Sequence, residues 1–150
     1  MNLKKLALLL FIPILIASCQ TYNDQDKQQF DKKIQAYLKK KKINCTKSDS
    51  GLYYKILEPG NGEYIKFQDE VTFTYHGTLI DGTVFDDQKK PVSFKVRDLI
   101  AAWKEIMLEL KPGAKAFLVA PPQLGYGDHQ LDDIPQHSIL IYNIEIKDVK

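Results

Sequence analysis

Two segments of this chain alternate apolar and polar residues with a period of two, and that pattern confines the fold more tightly than any other feature. From Glu70 to His76, Val71, Phe73 and Tyr75 fall on one face while Thr72, Thr74 and His76 fall on the other. From Ser138 to Val149, Leu140, Tyr142, Ile144 and Ile146 face together. Successive side chains of a strand point to opposite faces, so each segment predicts a strand with one face on a core. Shorter strand candidates lie at Gly51 to Leu57, Thr83 to Phe85, Pro91 to Val96 and Ala114 to Ala120. Pro59-Gly60-Asn61-Gly62, Asp81-Gly82 and Pro121-Pro122 punctuate them as turns. One window breaks the period. Arg97 to Leu110 sets Leu99, Ile100, Trp103 and Met107 at helical spacing, and Lys111-Pro112-Gly113 stops it. Several antiparallel strands and one short helix predict an α+β domain, its sheet wrapped on that helix.

A chain of 150 residues is long enough for one domain with a real core. Its apolar share of 44% and charged share of 27% are ordinary for a globular protein. Lys4 and Lys5 belong to a segment predicted to be removed, which leaves 19 of the 21 basic residues against 19 acidic ones. So balanced a chain gives no reason to expect nucleic acid as a partner, since that needs a clustered positive surface.

The first residues read as an address. Met1 to Lys5 carry two lysines, and Leu6 to Ala17 form an apolar run interrupted only by Pro13. A basic start, a short apolar stretch and small residues make a secretory signal. The run falls short of the roughly 20 apolar residues that a spanning helix needs. Ile16-Ala17-Ser18-Cys19 resembles the lipobox of bacterial lipoproteins. That resemblance implies a signal peptide over residues 1–18 and a diacylglycerol on Cys19. Two or more acyl chains, at about 0.8 kcal/mol per buried CH₂, anchor a protein stably to a bilayer. A plain signal peptide and an uncleaved anchor helix are the competing readings. Gln20, rather than Asp, follows the cysteine; by analogy with enteric bacteria this favours the outer membrane of the cell envelope, facing the periplasm.

Residues 19–46 then form a tether containing a short amphipathic helix. Phe30, Ile34, Tyr37 and Leu38 make one stripe, Asn23, Asp24 and Asp26 suit its start, and Lys39 to Lys42 suit its end. The stripe can pack on the domain, pair two copies weakly, or do neither. The lysines can touch anionic headgroups beside an anchor, although a solvated helix end is the simpler reading. Residues 47–150 hold the folded domain.

Within it, Val71-Thr-Phe-Thr-Tyr75-His-Gly-Thr-Leu-Ile-Asp-Gly82-Thr-Val-Phe85-Asp86 resembles the signature of FKBP-type peptidyl-prolyl cis-trans isomerases. Leu99-Ile100-Ala-Ala-Trp103, Gly125-Tyr126-Gly127 and Ile134-Pro135 follow in the family's order. The resemblance implies an FKBP-like antiparallel sheet of five to six strands around one short helix, preceded here by a short N-terminal helix. It implies a pocket with Trp103 as its floor, Tyr75, Phe85, Ile100 and Tyr142 as walls, and Asp86 and the Tyr126 hydroxyl at the rim. Ile134 overhangs, and the Ile100 N–H meets a ligand carbonyl. Val92 stands where many members have Phe, with Phe94 two residues on; Leu124 and Ala102 also depart from the usual Tyr and Gly. The expected catalytic residues are therefore Asp86, Tyr126, Trp103, Phe85 and Tyr75, and the expected substrate contacts Ile100, Leu99, Val92, Phe94, Ile134 and Tyr142.

The implied substrates are proline-containing polypeptides, and the implied reaction needs no cofactor or metal. Twisting an X-Pro bond neither makes nor breaks a covalent bond, so an apolar cup that strips water from the planar imide serves better than a nucleophile. The same fold acting as a chaperone or binding module with little turnover is the alternative. His76, His129 and His137 lack zinc-site spacing. Cys45 has no partner at ligand spacing. Gly125-Tyr-Gly127 lacks the Lys-Ser/Thr of a phosphate loop, and the sequon at Asn44 is idle in a bacterial lipoprotein.

Overall fold

The two alternating segments lie side by side in the middle of one sheet. The computed structural model describes residues 22–150; the expected signal peptide at 1–18 and the expected lipidation site Cys19 lie outside the described residues. The chain runs α1 (Asp24–Lys41), β1 (Thr46–Lys47), β2 (Tyr53–Glu58), β3 (Glu70–Leu79), β4 (Val84–Lys95), α2 (Ala101–Met107), β5 (Lys115–Ala120) and β6 (Leu140–Val149). Short 3₁₀ turns occupy Val96–Asp98 and Pro122–Leu124. The strands form a six-stranded sheet in the order β1-β2-β5-β6-β3-β4, every pair antiparallel. The expected α+β class holds, with the sheet on one short helix and a second helix at the N-terminus.

Each face of the sheet has its own cover. Val71, Phe73, Leu118, Leu140, Ile144 and Ile146 are buried against Ala102, Ile106 and Met107 of α2. On β5 and at the start of β6 the intervening residues are buried too. Phe117, Val119, Ile139 and Ile141 pack with Tyr53 against Ile34 and Leu38 of α1. The stripe of α1 therefore docks on the sheet, the first of its three possible uses. A boundary between residues 46 and 47 falls inside β1, whose Thr46 and Lys47 pair with Tyr54 and Tyr53.

Local chemistry starts and holds α1. Asn23 Oδ1 accepts from the Asp26 N–H at 2.9 Å and Asp26 Oδ2 accepts from the Asn23 N–H at 3.1 Å, a reciprocal cap. Asp31 accepts from the Tyr53 hydroxyl at 2.7 Å and faces Lys47 Nζ at 2.6 Å, which ties the helix to β2 and β1. Partial burial works to raise the Asp31 carboxyl, but hydrogen bonds from Lys47 and Tyr53 hold it below the usual carboxylate range.

Two elements differ from expectation. The strands predicted at Thr83 to Phe85 and Pro91 to Val96 belong to one strand of twelve residues, β4. It is an edge strand, so Pro91 removes no hydrogen bond that the sheet requires. Its pairing with β3 shifts register between Phe73 and Tyr75 and between Gly77 and Thr78. Such bulges absorb extra residues and let polar ones face solvent. The helix predicted from Arg97 to Leu110 shrinks to the seven residues of α2. Leu99 and Ile100 have extended backbone, with ψ of 165° and 159°. Helical spacing counts only where apolar side chains recur, and these two find apolar neighbours without continuing a helix.

Candidate active site

Between α2 and its face of the sheet lies a cavity of about 450 Å³. Strand β3 contributes Phe73 and Tyr75, β4 contributes Phe85, Asp86 and Phe94, and β6 contributes Tyr142. Trp103 enters from α2, and Asp98, Leu99 and Ile100 from the segment before it. The loop between the second 3₁₀ turn and β6 adds Tyr126, Leu131, Asp132, Asp133 and Ile134.

The aromatic rings brace one another. Trp103 meets Tyr75 at 5.0 Å and 88° and Tyr142 at 5.0 Å and 90°, and Phe85 meets Tyr142 at 5.5 Å and 88°. Edge-to-face contacts of this kind place the positive ring edge on the negative face of the next and fix side-chain orientation. Phe73 closes the inner side, 4.8 Å from Trp103. Gly77 makes room for the Phe85 wall: a Cβ there would come within 2.7 Å of two Phe85 ring carbons.

The polar groups are few and directed. The Tyr75 hydroxyl donates to Asp86 Oδ2. Burial pushes the Tyr75 phenol well above its ordinary value, and the bond to Asp86 adds to the shift. Burial also raises Tyr126, with the Asp86 charge contributing. The Tyr126 hydroxyl has no side-chain partner among the described residues, so its proton is available to a ligand carbonyl. Tyr142 is raised by burial, partly offset by the Trp103 indole N–H nearby. That approach lacks the geometry of a formed hydrogen bond, and the indole nitrogen remains a buried donor without a partner among the described residues. Among the described residues the Ile100 N–H likewise finds no backbone acceptor, while the Ile100 carbonyl accepts from Trp103 and Lys104 at 3.0 Å.

Ten of the eleven residues expected from sequence for catalysis or substrate contact meet at this cavity. Val92 does not line it: paired with Phe73 on β4, it packs half-buried against the core. The sequence reading missed Phe73, Asp98, Leu131, Asp132 and Asp133 as lining residues. Phe73 was within reach, since alternation sets it on the Tyr75 face; the loop residues carry no local signal. Of the histidines, His76 pairs with Asp87 at 3.1 Å, His129 donates to the Tyr126 carbonyl at 3.1 Å, and His137 bonds the Tyr22 hydroxyl at 2.7 Å. Among the described residues, no group of three His, Cys, Asp or Glu gathers as a metal site.

The sequence profile of the FKBP-type peptidyl-prolyl cis-trans isomerases matches residues 62–147, more than half the chain, and the chain belongs to that family. It is 40% identical over 133 residues to "FKBP-type peptidyl-prolyl cis-trans isomerase FkpA" of Buchnera aphidicola subsp. Schizaphis graminum, covering 83% of this chain and 53% of that one. The crystal structure of FkpA from Escherichia coli superposes with a TM-score of 0.73 at 37% identity, over 84% of this chain and 62% of that one. A peptidyl-prolyl cis-trans isomerase structure from Pseudomonas syringae pv. tomato gives a TM-score of 0.70 at 26% identity, over 86% of this chain and 99% of that one. The chain spans about half the length of the curated relatives it matches.

Proposed function

We propose that this chain is a peptidyl-prolyl cis-trans isomerase acting on X-Pro bonds of exported proteins, held at the bacterial cell envelope by acyl chains on Cys19. The observation that carries the reading is the convergence of Tyr75, Phe85, Trp103 and Tyr142 on one cavity with Asp86 and Tyr126 beside them. Rotation about a peptide bond faces about 18–20 kcal/mol because twisting removes amide resonance. Uncatalysed X-Pro exchange takes tens to hundreds of seconds. Water bound to the imide oxygen stabilises the planar, charge-separated form. A proline ring seated on Trp103 loses that water, which favours the twisted imide over the planar one. On this reading the Tyr126 hydroxyl and the Ile100 N–H hold carbonyls on either side, and Asp86 fixes Tyr75 and sets the field across the cavity. No proton need move.

A cis-trans exchange assay on a proline peptide tests this. Wild type should accelerate exchange. Tyr126→Phe, which deletes one hydrogen bond, should slow it about fivefold, and Asp86→Leu should also weaken it. Negligible rates in all three would leave a binding module instead. Phe94 and Leu131, 49% and 40% exposed at the cavity, suit that second reading, because they can hold an unfolded segment without turning it over.

The anchor rests on Ile16-Ala17-Ser18-Cys19. Among the described residues no helix is long and apolar enough to cross a membrane. Cys19→Ala should release the protein from the membrane fraction or trap the precursor. Retention at mature size would exclude lipidation.

A further inference from the structure

The charge around the cavity is one-sided. Among the described residues its lining holds four carboxylates, Asp86, Asp98, Asp132 and Asp133, and no lysine, arginine or histidine. Tyr75 engages Asp86. Asp98 has only the neighbouring Arg97, at 3.8 Å with both side chains more than half exposed. Asp132 and Asp133 form no ion pair within 4.0 Å among the described residues. The chain as a whole has 21 basic and 19 acidic residues, so this negative mouth is a local arrangement and not a by-product of net charge.

Two further features mark the cavity as built for a ligand. Trp103 on its floor is 5% exposed, and its indole N–H is a buried donor without a partner among the described residues. An unpaired buried donor is unfavourable, and this one belongs to a ring that lines the cavity. Beside the carboxylates stand the exposed rings and alkyl groups of Phe94 and Leu131. Lysine and arginine match that pairing, since their stems lie on apolar surface while their heads reach charge. A guanidinium can also stack on the Phe94 face. Glutamate and aspartate would meet repulsion at the same place.

We infer that this site selects proline segments flanked by lysine or arginine over those flanked by glutamate or aspartate. The inference deepens the isomerase reading by naming its substrate class, but it concerns binding and can be tested without turnover. Trp103 is the sole tryptophan, so its fluorescence reports occupancy of the cavity. Three peptides would share a central Leu-Pro and differ only in bearing Lys, Ala or Glu on both sides. At low salt the Lys peptide should bind about tenfold more tightly than the Glu peptide, with Ala between them. At about 1 M salt, where screening acts over roughly 3 Å, most of that spread should vanish. The triple variant Asp98→Asn, Asp132→Asn, Asp133→Asn should narrow the spread to within about twofold. Equal affinities at low salt, or a spread untouched by salt or by the triple variant, would overturn the inference. Peptides that bind in the expected order but are not isomerised would support it while removing the enzymatic reading.

Discussion

Gly77 shows how one residue sets the shape of the site. It pairs with Asp86 on one side and Tyr142 on the other, so three strands meet at its backbone. The Phe85 ring lies over it, and a Cβ would stand 2.7 Å from that ring and 3.2 Å from Tyr142. Gly77→Ala must therefore displace the Phe85 wall. Overpacking of this kind costs about 1–3 kcal/mol, which a urea denaturation curve would read as a lower midpoint at unchanged slope. A midpoint equal to wild type would mean that the ring yields freely. The site was legible in sequence where its residues sit in a contiguous pattern: Tyr75, Phe85, Asp86 and Trp103 came from motifs read in order. Leu131, Asp132 and Asp133 were not legible, because a loop residue reaches a cavity through the path of the chain and not through any periodicity. Val92 was expected to touch substrate; it pairs with Phe73 on β4 and packs half-buried against the core without lining the cavity.

Among the elements, α1 was the most and the least readable. Its cap and stripe were plain in the sequence, whereas the surface that receives the stripe is assembled from β2, β5 and β6, distant in the chain. The unbroken apolar run Ile139-Leu140-Ile141 was the available clue, since a strand covered on both faces loses its alternation. β4 was hidden for the opposite reason. The polar run from Asp86 to Lys90 reads as loop, yet an edge strand can leave such residues in water. If α1 is an integral layer, Ile34→Ala, at a position 0% exposed, should cost about 2–5 kcal/mol. Asn23→Ala, which removes one half of the cap, should cost about 1 kcal/mol. Lys33→Ala on the exposed side should stay within about 0.5 kcal/mol. Thermal or urea unfolding of the three would measure the order, and an Ile34 variant no weaker than the Lys33 variant would detach the helix from the fold.

Across the whole molecule the dominant ionisable groups inside the fold are phenols. Six of the eight tyrosines, Tyr22, Tyr37, Tyr53, Tyr75, Tyr126 and Tyr142, have hydroxyls raised above the ordinary value, each chiefly by burial. They span both layers, from the α1 face to the cavity, so their titration reports on the entire fold. A raised phenol keeps its proton in the folded chain at a pH where the unfolded chain has released it. The unfolded state then binds fewer protons, and stability falls as pH rises. The contribution is complete below the unfolded tyrosine value of about 10 and is lost as pH climbs through the raised values. Lys47, Lys66 and Lys115, raised by their partners Asp31, Glu63 and Glu58, act in the same direction. The urea midpoint should accordingly hold level from about pH 8 to 9 and drop steeply between about pH 10 and 11. Phenolate from these six should appear together with unfolding and not before it; Tyr64, 58% exposed, lies outside that set. A midpoint that stays level through that interval, with the phenols of Tyr75, Tyr126 and Tyr142 ionising in the folded protein, would show that water reaches the cavity, and a wet cavity could not strip the imide.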